Sequence, residues 1–317
     1  MPAVARATGV ACRTADAAER IPRVRVAVID VGSNSVRVLI ASVQQGGDVR
    51  ELHRERVYLR LGDDAYRLGR IGRKLDALAE TAELYARQAR AARVERLETI
   101  VTAPGRQASN AEELVDVLRD ATSAPVVVLG ADDEGRLAWE GAVAALPSAT
   151  GVIGVVDLGG GSCEVAIGRA GTGPHWVRSR EAGALRVTRA FLPSTRLSAR
   201  DLASARAGVR ELLEDLDPLQ PDAAFAVGGT ARAISKVLGQ RFGRRKLEAL
   251  ADAIAQNGAS AVTAGRDISQ SRSETLLAGT LVLGEVARLL DVKLEVGRGG
   301  LREGAALALV RVASAAA

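Results

Sequence analysis

One local pattern occurs twice in this chain, and it restricts the fold more than any other feature of the sequence. A short apolar run ends on an aspartate, a loop of glycine, serine or asparagine follows, and a second apolar run comes after it, at residues 24–43 and again at residues 152–167. Aligning Asp30 with Asp157 also aligns the glycines and serines of the two loops, at a spacing of 127 residues. Each copy predicts a strand, a tight loop and an antiparallel strand. A repeat spaced by about one domain length predicts a duplicated fold of two domains.

The rest of the chain alternates strand-like and helix-like segments. We predict helices at 73–93, after 110, at 133–145, at 231–238 and at 276–290, a helix capped by Ser198, and strands at 97–102, 125–129 and 223–227. This alternation predicts an α/β fold. We therefore expect a disordered tail at residues 1–22, a first domain at residues 23–146 and a second at residues 147–317.

The scarcity of two residue types excludes several kinds of site. The 317 residues include two cysteines and two histidines, which are Cys12, Cys163, His53 and His175. These are too few for a zinc finger, an iron–sulfur cluster or a disulfide framework. Carboxylates, arginines and backbone amides are therefore expected to carry any chemistry.

Composition also limits the partners and the compartment. Aromatic residues are 3% of the chain, so platforms for stacking nucleic-acid bases are largely missing, and much of the net charge of +5 lies in residues 1–25. The sequence contains neither an apolar run of membrane-spanning length nor a signal-peptide pattern. We expect a cytoplasmic protein with no nucleic-acid or membrane partner.

Three glycine-containing loops are candidates for phosphate binding. Backbone N–H groups in such loops converge on one point and bind phosphate oxygens without side chains. The candidate residues are Gly32, Ser33, Asn34, Ser35, Gly159, Gly160, Gly161, Ser162, Gly228, Gly229 and Thr230. Asp30 and Asp157 can hold a divalent cation against the phosphates. The alternative is that the loops are sharp turns and the aspartates cap them.

These segments resemble the phosphate loops of the superfamily that contains actin, sugar kinases and heat-shock ATPases. Within it, the chain is most similar to the exopolyphosphatase and guanosine pentaphosphate phosphohydrolase family. The narrower resemblance rests on VTAPGRQASN at 101–110, GALRVT at 183–188 and GRGGLREG at 297–304. It implies two duplicated actin-like (ribonuclease H-like) domains with the active site in the cleft between them.

The family resemblance also implies roles for individual residues. Glu134 matches the catalytic glutamate, although Ala131, Asp133 and Gly135 depart from the usual Gly-x-Glu-Glu-Ala pattern. Arg106 matches a phosphate-holding arginine, and Glu164 matches a second active-site glutamate. Without the resemblance, Glu134 would be a first-turn glutamate favoured by the helix dipole, and Glu164 a solvated strand residue. The implied metal ligands are Asp157, Glu164 and Asp30, with Mg²⁺ or Mn²⁺ as the cation.

The function expected from this resemblance is hydrolysis of the terminal phosphoanhydride of inorganic polyphosphate. The alternatives are a guanosine pentaphosphate phosphohydrolase, a non-catalytic nucleotide or alarmone sensor, and a small-molecule kinase. Longer family members continue into an all-helical region, whereas 13 residues follow Gly304 here. Together with the low net charge outside the tail, this leads us to expect few basic contacts and short polyphosphate substrates. We also expect a homodimer, because dimers are the commonest oligomeric state.

Overall fold

The computed structural model describes residues 23–44, 47–146, 148, 150–192 and 197–315. The predicted disordered tail, residues 1–22, lies outside the described residues. Among the helices of the described ranges, none is long and apolar enough to span a membrane.

The first sheet consists, within the described residues, of five strands in the order β3–β2–β1–β4–β5. The strands are β1 (Arg23–Val31), β2 (Val36–Gln44), β3 (Val49–Val57), β4 (Arg96–Val101) and β5 (Val126–Val128). Strands β1 to β3 pair antiparallel, and β4 and β5 continue the sheet in parallel with β1.

The second sheet repeats this topology in the later half of the chain. In the part of the chain that is described, its order is β10–β11–β9–β6–β7–β8. The strands are β6 (Val152–Leu158), β7 (Cys163–Arg169), β8 (Gly173–Arg180), β9 (Ala223–Val227), β10 (Arg241–Phe242) and β11 (Leu294–Val296). Strands β6 to β8 pair antiparallel, and β9 and β11 run parallel to β6. The duplication predicted from the sequence and the two-sheet α/β fold are therefore confirmed.

Helices cover the sheets. They are α1 (Leu61–Leu68), α2 (Lys74–Ala91), α3 (Ala103–Gln107), α4 (Ala111–Thr122), α5 (Ala131–Ala144), α6 (Ala184–Phe191), α7 (Ala199–Leu212), α8 (Gly228–Leu238), α9 (Arg244–Asn257), α10 (Ala259–Thr263), α11 (Gln270–Ser273), α12 (Leu276–Leu289) and α13 (Leu301–Ala315). Ser198 caps α7 as predicted, in a reciprocal capping box with Asp201.

One local prediction is wrong. The segment 228–230 was expected to be a loop before a helix beginning at Ala231, but Gly228 already begins α8. Gly228 has a φ of 88°, in the left-handed region that glycine tolerates, so the chain turns sharply out of β9 at this single residue. The following residues can then take up helical geometry at once.

Two helices link the halves. Buried side chains of α13, such as Ala306 and Val310, join the core on the first sheet, although α13 is the last element of the chain. Conversely Trp139 and Ala142 of α5 join a core on the second sheet. The domain boundary at 146/147 stays a prediction. In the structure, each sheet packs against a helix that comes from the other half of the chain.

Helices α5 and α13 approach closely because glycines line their contact. A Cβ placed on Gly141 would lie 2.0 Å from the carbonyl oxygen of Gly300, and one on Gly304 would lie 1.9 Å from that of Leu137. Only glycine allows the backbones to come this near. The glycines at 300 and 304 therefore let the start of α13 lie directly against the middle and C-terminal half of α5.

Candidate active site

The two duplicated loops have the same turn and face each other. The Gly32 N–H donates to the Ser35 carbonyl at 3.2 Å, and the Gly159 N–H to the Ser162 carbonyl at 3.0 Å. A Cβ on Gly161 would lie 2.4 Å from Ser33 Oγ, so the second loop touches the first. The two loops share the same turn geometry, which confirms that the two copies are structurally equivalent.

The carbonyls of the first loop point away from the cleft, toward the start of α1. The Ser33 carbonyl accepts a hydrogen bond from the Gly62 N–H at 2.8 Å, and the Asn34 carbonyl accepts one from the Arg60 N–H at 3.1 Å. In the described structure the N–H groups of Ser33 and Asn34 donate to no protein acceptor. They remain available to an anion.

The second loop is arranged in the same way against α6. The Gly160 carbonyl accepts hydrogen bonds from the N–H groups of Leu185 and Arg186, at 2.9 and 3.0 Å. Among the described contacts, the N–H groups of Gly160 and Gly161 have no acceptor. Two sets of free backbone donors thus converge on one cleft, as phosphate binding requires.

Glu134 lies in the first turn of α5 and is buried, with 6% of its surface exposed. The guanidinium of Arg106 comes within 2.9 Å of Glu134 Oε2, while its Nη1 donates to the Leu129 carbonyl at 2.8 Å and its Nη2 reaches Ser162 Oγ at 3.5 Å. Glu134 Oε2 receives no well-aligned hydrogen bond. The pKa of Glu134 is raised well above its ordinary value, mainly by burial and also by Glu164, with Arg106 opposing the shift. A carboxylate in this setting is suited to accept a proton.

Glu164 is not a solvated strand residue, because 1% of its surface is exposed. It lies on β7, and Ser179 Oγ donates to its Oε1 at 2.7 Å. Burial raises the pKa of Glu164 to about 7, with Asp157 adding to the rise and Ser179 opposing it. Its Oε2 has no hydrogen-bond partner. Burial of a carboxylate costs free energy, and such buried carboxylates are typical of functional sites, whereas a surface strand leaves its carboxylates in water.

The ends of β1 and β6 bring Asp30 and Asp157 to the same cleft. The pKa of Asp157 is raised, first by burial and then by the charge of Asp30, although Arg37 opposes the shift. A pair of repelling oxygen donors fits a hard divalent cation, which takes one or two carboxylates plus water and phosphate oxygens. Among the described residues no three acidic, histidine or cysteine side chains form a ready metal cluster. A cation here would depend on substrate oxygens for its remaining ligands.

Four arginines also line the cleft: Arg37, Arg232, Arg272 and Arg302. The carboxylate of Asp30 stands 3.9 Å from Arg37 and 3.8 Å from Arg302. Burial, together with repulsion from Arg302, lowers the pKa of Arg37 to about 9. Burial and the same neighbour lower the pKa of Arg232 to about 10. The cleft is lined by four carboxylates as well, and guanidinium groups so close together are suited to contact the oxygens of an anion such as a phosphate.

The predicted site residues do not all line the cleft. The cleft of about 700 Å³ includes the two duplicated loops, Asp30, Asp157, Glu134 and Gly228 among its walls. Thr230 is fully buried behind it, where its Oγ1 accepts a hydrogen bond from Arg272 at 2.9 Å. Thr230 thus positions an arginine of the cleft.

The family of the chain follows from comparison with known proteins. A model of the Ppx/GppA phosphatase family matches residues 39–312. The chain belongs to this family. The match begins within β2 and ends within α13, so it includes the second duplicated hairpin and helix α5, while the first loop lies just before it.

Curated relatives agree with this family. Exopolyphosphatase 1 of Mycobacterium bovis is 30% identical over 298 residues, which cover 88% of this chain and 86% of the relative. Exopolyphosphatase 2 of Mycobacterium tuberculosis is 36% identical over 200 residues, 60% of this chain. The match spans 62% of the length of that second relative.

Solved structures agree in fold. The Ppx/GppA family member of Aquifex aeolicus superimposes with a TM-score of 0.77 at 24% identity, covering 91% of this chain and 98% of that one. An exopolyphosphatase from Cytophaga hutchinsonii gives a TM-score of 0.78 at 20% identity, covering 88% and 96%. The predicted pair of actin-like domains is therefore confirmed as the fold class.

The sequence alone predicts no role for the four arginines of the cleft. Arg37 lies in the first hairpin and Arg302 in the GRGGLREG segment, whereas Arg232 and Arg272 lie in none of the motifs described above. The prediction of few basic contacts along a long polyphosphate stays a prediction, while the arginines of the cleft could not be located from a net charge, which does not tell where the charges lie. A signal was present in Arg37, the second residue after the first loop, which lies opposite Asp30 in the hairpin.

Proposed function

We propose that this chain is an exopolyphosphatase, which hydrolyses the terminal phosphoanhydride of inorganic polyphosphate and releases orthophosphate. The observation that carries this proposal is the buried Glu134, whose Oε2 lacks an aligned hydrogen bond and stands beside Arg106 at the wall between the two glycine loops. A water held there by Glu134 would face a phosphate bound by the loop N–H groups. The arginine cluster supports a substrate with several consecutive negative charges.

In the proposed reaction Glu134 accepts a proton from the attacking water. The water oxygen forms a bond to the terminal phosphorus as the bond from that phosphorus to the bridging oxygen breaks. The products are orthophosphate and a chain one phosphate shorter, whose bridging oxygen keeps the electron pair. Loop N–H groups and Arg106 stabilise the charge on the phosphoryl oxygens during transfer.

Asp30 and Asp157, with Glu164 behind them, would hold a divalent cation, for which we propose Mg²⁺, with Mn²⁺ as the alternative. When bound, such a cation neutralises phosphate charge during transfer. Glu164 would act mainly through its charge, because it accepts a hydrogen bond from Ser179 and does not line the cleft.

Guanosine pentaphosphate is not favoured as the main substrate, because the curated relatives reported above are named exopolyphosphatases. A non-catalytic sensor would have no use for a buried base beside the terminal phosphate, and a kinase would need, besides such a base, a pocket for its acceptor molecule. The short-chain preference, the homodimer, the cytoplasmic location and the absence of a nucleic-acid partner stay predictions.

Phosphate release from polyphosphate, guanosine pentaphosphate and ATP, assayed in parallel with divalent cation, tests the proposal. We expect polyphosphate to give the highest kcat/KM. A higher kcat/KM with guanosine pentaphosphate would reverse the substrate assignment. Tight polyphosphate binding without phosphate release would instead support a sensor.

A further inference from the structure

Helices α1 and α6 meet directly behind the phosphate loops, one helix from each half of the chain. The start of α1 holds the carbonyls of the first loop, and the start of α6 holds those of the second. Besides the direct contact between the loops, the junction of α1 with α6 therefore helps to set how the two loops stand relative to each other. This junction lies outside the cleft lining.

An ion pair with two hydrogen bonds joins these helices. Arg189 of α6 donates from Nε to Asp63 Oδ1 at 2.8 Å and from Nη2 to Oδ2 at 3.0 Å. Both oxygens of Asp63 are thus engaged across the junction, and 15% of its side chain is exposed. A forked arginine–carboxylate contact of this kind fixes orientation as well as distance.

Packing supports the same junction. A Cβ on Gly62 would lie 3.3 Å from Leu185 Cδ2, so the backbone of α1 sits close against α6. The guanidinium of Arg186 stands 5.8 Å from the centre of the Tyr66 ring, within the range of a cation–π contact. The side chains of Leu185 and Arg186 therefore contact α1, while their N–H groups hold the second loop.

The residue before α1 is in a strained conformation that the junction maintains. Arg60 has a φ of 53° and a ψ of 47°, a left-handed conformation that is unfavourable for a side chain of this size. Its N–H holds the Asn34 carbonyl, and its guanidinium contacts Asp63 at 2.9 Å and also pairs with Glu274. Lys74 Nζ donates to its carbonyl at 2.7 Å. Several contacts thus hold the backbone of Arg60 in an unfavourable conformation, which indicates that the geometry at this position is needed for the loop it contacts.

We propose that Asp63 and Arg189 are positioning residues, whose ion pair sets the spacing of the two phosphate loops and thereby the placement of the terminal phosphate. This inference rests on the proposed function, because it concerns turnover at that same cleft. The arginine cluster binds the rest of the substrate independently of the junction. Loss of the ion pair should therefore lower kcat and leave KM nearly unchanged.

The test compares Asp63→Asn, Arg189→Gln and the double variant with Asp252→Asn. Asp252 is a matched control, because its carboxylate pairs with Arg206 at 2.8 Å and so joins helix α9 to helix α7, and neither residue lines the cleft. We expect Asp63→Asn and Arg189→Gln each to lower kcat about tenfold or more, since small misplacements of reacting groups cost this much. We expect KM to change by less than about threefold, because the contacts that bind the substrate are retained. Asp252→Asn should behave as the wild type.

The double variant decides whether the two residues act as a pair. If they do, it should lose no more activity than the worse single variant, because the same contact is already broken. Additive losses, a rise in KM alone, or equal losses in Asp63→Asn and Asp252→Asn would overturn the proposal. Thermal unfolding of each variant must match that of Asp252→Asn, and a lower Tm that accounts for the lost activity would assign Asp63 a purely structural role. A wild type without polyphosphatase activity would contradict the proposed function instead, so the two failures are distinguishable.

Discussion

Arg37 and Glu164 occupy the same position in the two duplicated hairpins. Arg37 pairs across the strands with Asp30, and Glu164 pairs in the same register with Asp157. The same backbone position thus carries a cation in the first half and a carboxylate in the second. Burial is the main cause of both pKa shifts, which lower that of Arg37 to about 9 and raise that of Glu164 to about 7.

This exchange of charge gives the two equivalent positions different surroundings. Arg37 belongs to the arginine cluster of the cleft, which suits the phosphates of a chain. Glu164 stands near Glu134, where its charge raises the pKa of that carboxyl further. Equivalent positions of a duplicated scaffold can thereby serve phosphate binding in one half and the activation of water in the other.

Replacing Glu134 tests the proposed activation of water. Glu134→Gln keeps the size of the side chain but removes the base, so we expect kcat to fall about a hundredfold or more while polyphosphate binding survives. Phosphate release and equilibrium binding of polyphosphate measure the two effects. Glu140→Gln, on the outer side of the same helix where Glu140 pairs with Arg311, is the control and should keep full activity. Near-normal turnover of a folded Glu134→Gln protein would remove Glu134 from the mechanism.

The pH dependence tests the pairing of Arg106 with Glu134. A general base works when ionised, so activity should fall as the pH drops through the pKa of Glu134. Arg106 holds that pKa down against burial and Glu164. In Arg106→Met the pKa should therefore rise, and the acid limb of the kcat/KM profile should move to higher pH. Arg119→Met, an exposed arginine on α4, should leave the limb in place. An unmoved acid limb in Arg106→Met would mean that another group controls it.

Much of the fold could be predicted because its signals are local. Each hairpin is predicted by two apolar runs on either side of a short loop, and the start of α7 is predicted by the Ser198–Asp201 capping pair. The residues of the two duplicated loops and Glu134 were placed on one cleft by family resemblance, and the structure brings them together there.

The remaining features depend on contacts between distant segments. Arg272 reaches the cleft from α11 only because Thr230 of α8 holds it, and 42 residues separate the two. The close contact of α5 with α13 joins Gly141 to Gly300 and Gly304, which no local pattern connects. The early start of α8 depended on one left-handed glycine, which a propensity argument cannot distinguish from a loop glycine.

Asp157 provides the test of the cation site. Asp157→Asn removes one of two repelling carboxylates, so we expect a higher Mg²⁺ concentration for half-maximal activity and a lower maximal rate. A Mg²⁺ titration of phosphate release measures both. Asp217→Asn, an exposed position between α7 and β9, is the control. An unchanged titration would leave Asp157 as a turn residue only.

The glycine contact between α5 and α13 should be sensitive to a single methyl group. In Gly141→Ala the new Cβ would meet a backbone oxygen at 2.0 Å, and in Gly304→Ala one at 1.9 Å. Backbone atoms cannot rotate away as a side chain can, so the helices must separate. Overpacking of this kind costs about 1–3 kcal/mol, and we expect both variants at the upper end or beyond.

Separation of these helices should also reach the active site, since α5 carries Glu134 and α13 carries Arg302. We therefore expect a lower free energy of unfolding in urea and a lower kcat in both variants. Gly72→Ala is the matched control, because a Cβ there meets nothing within 4 Å and its backbone conformation suits alanine. Gly72→Ala should match the wild type in both measurements. If Gly141→Ala were as stable and active as Gly72→Ala, the close approach of α5 and α13 would not be what positions the catalytic glutamate.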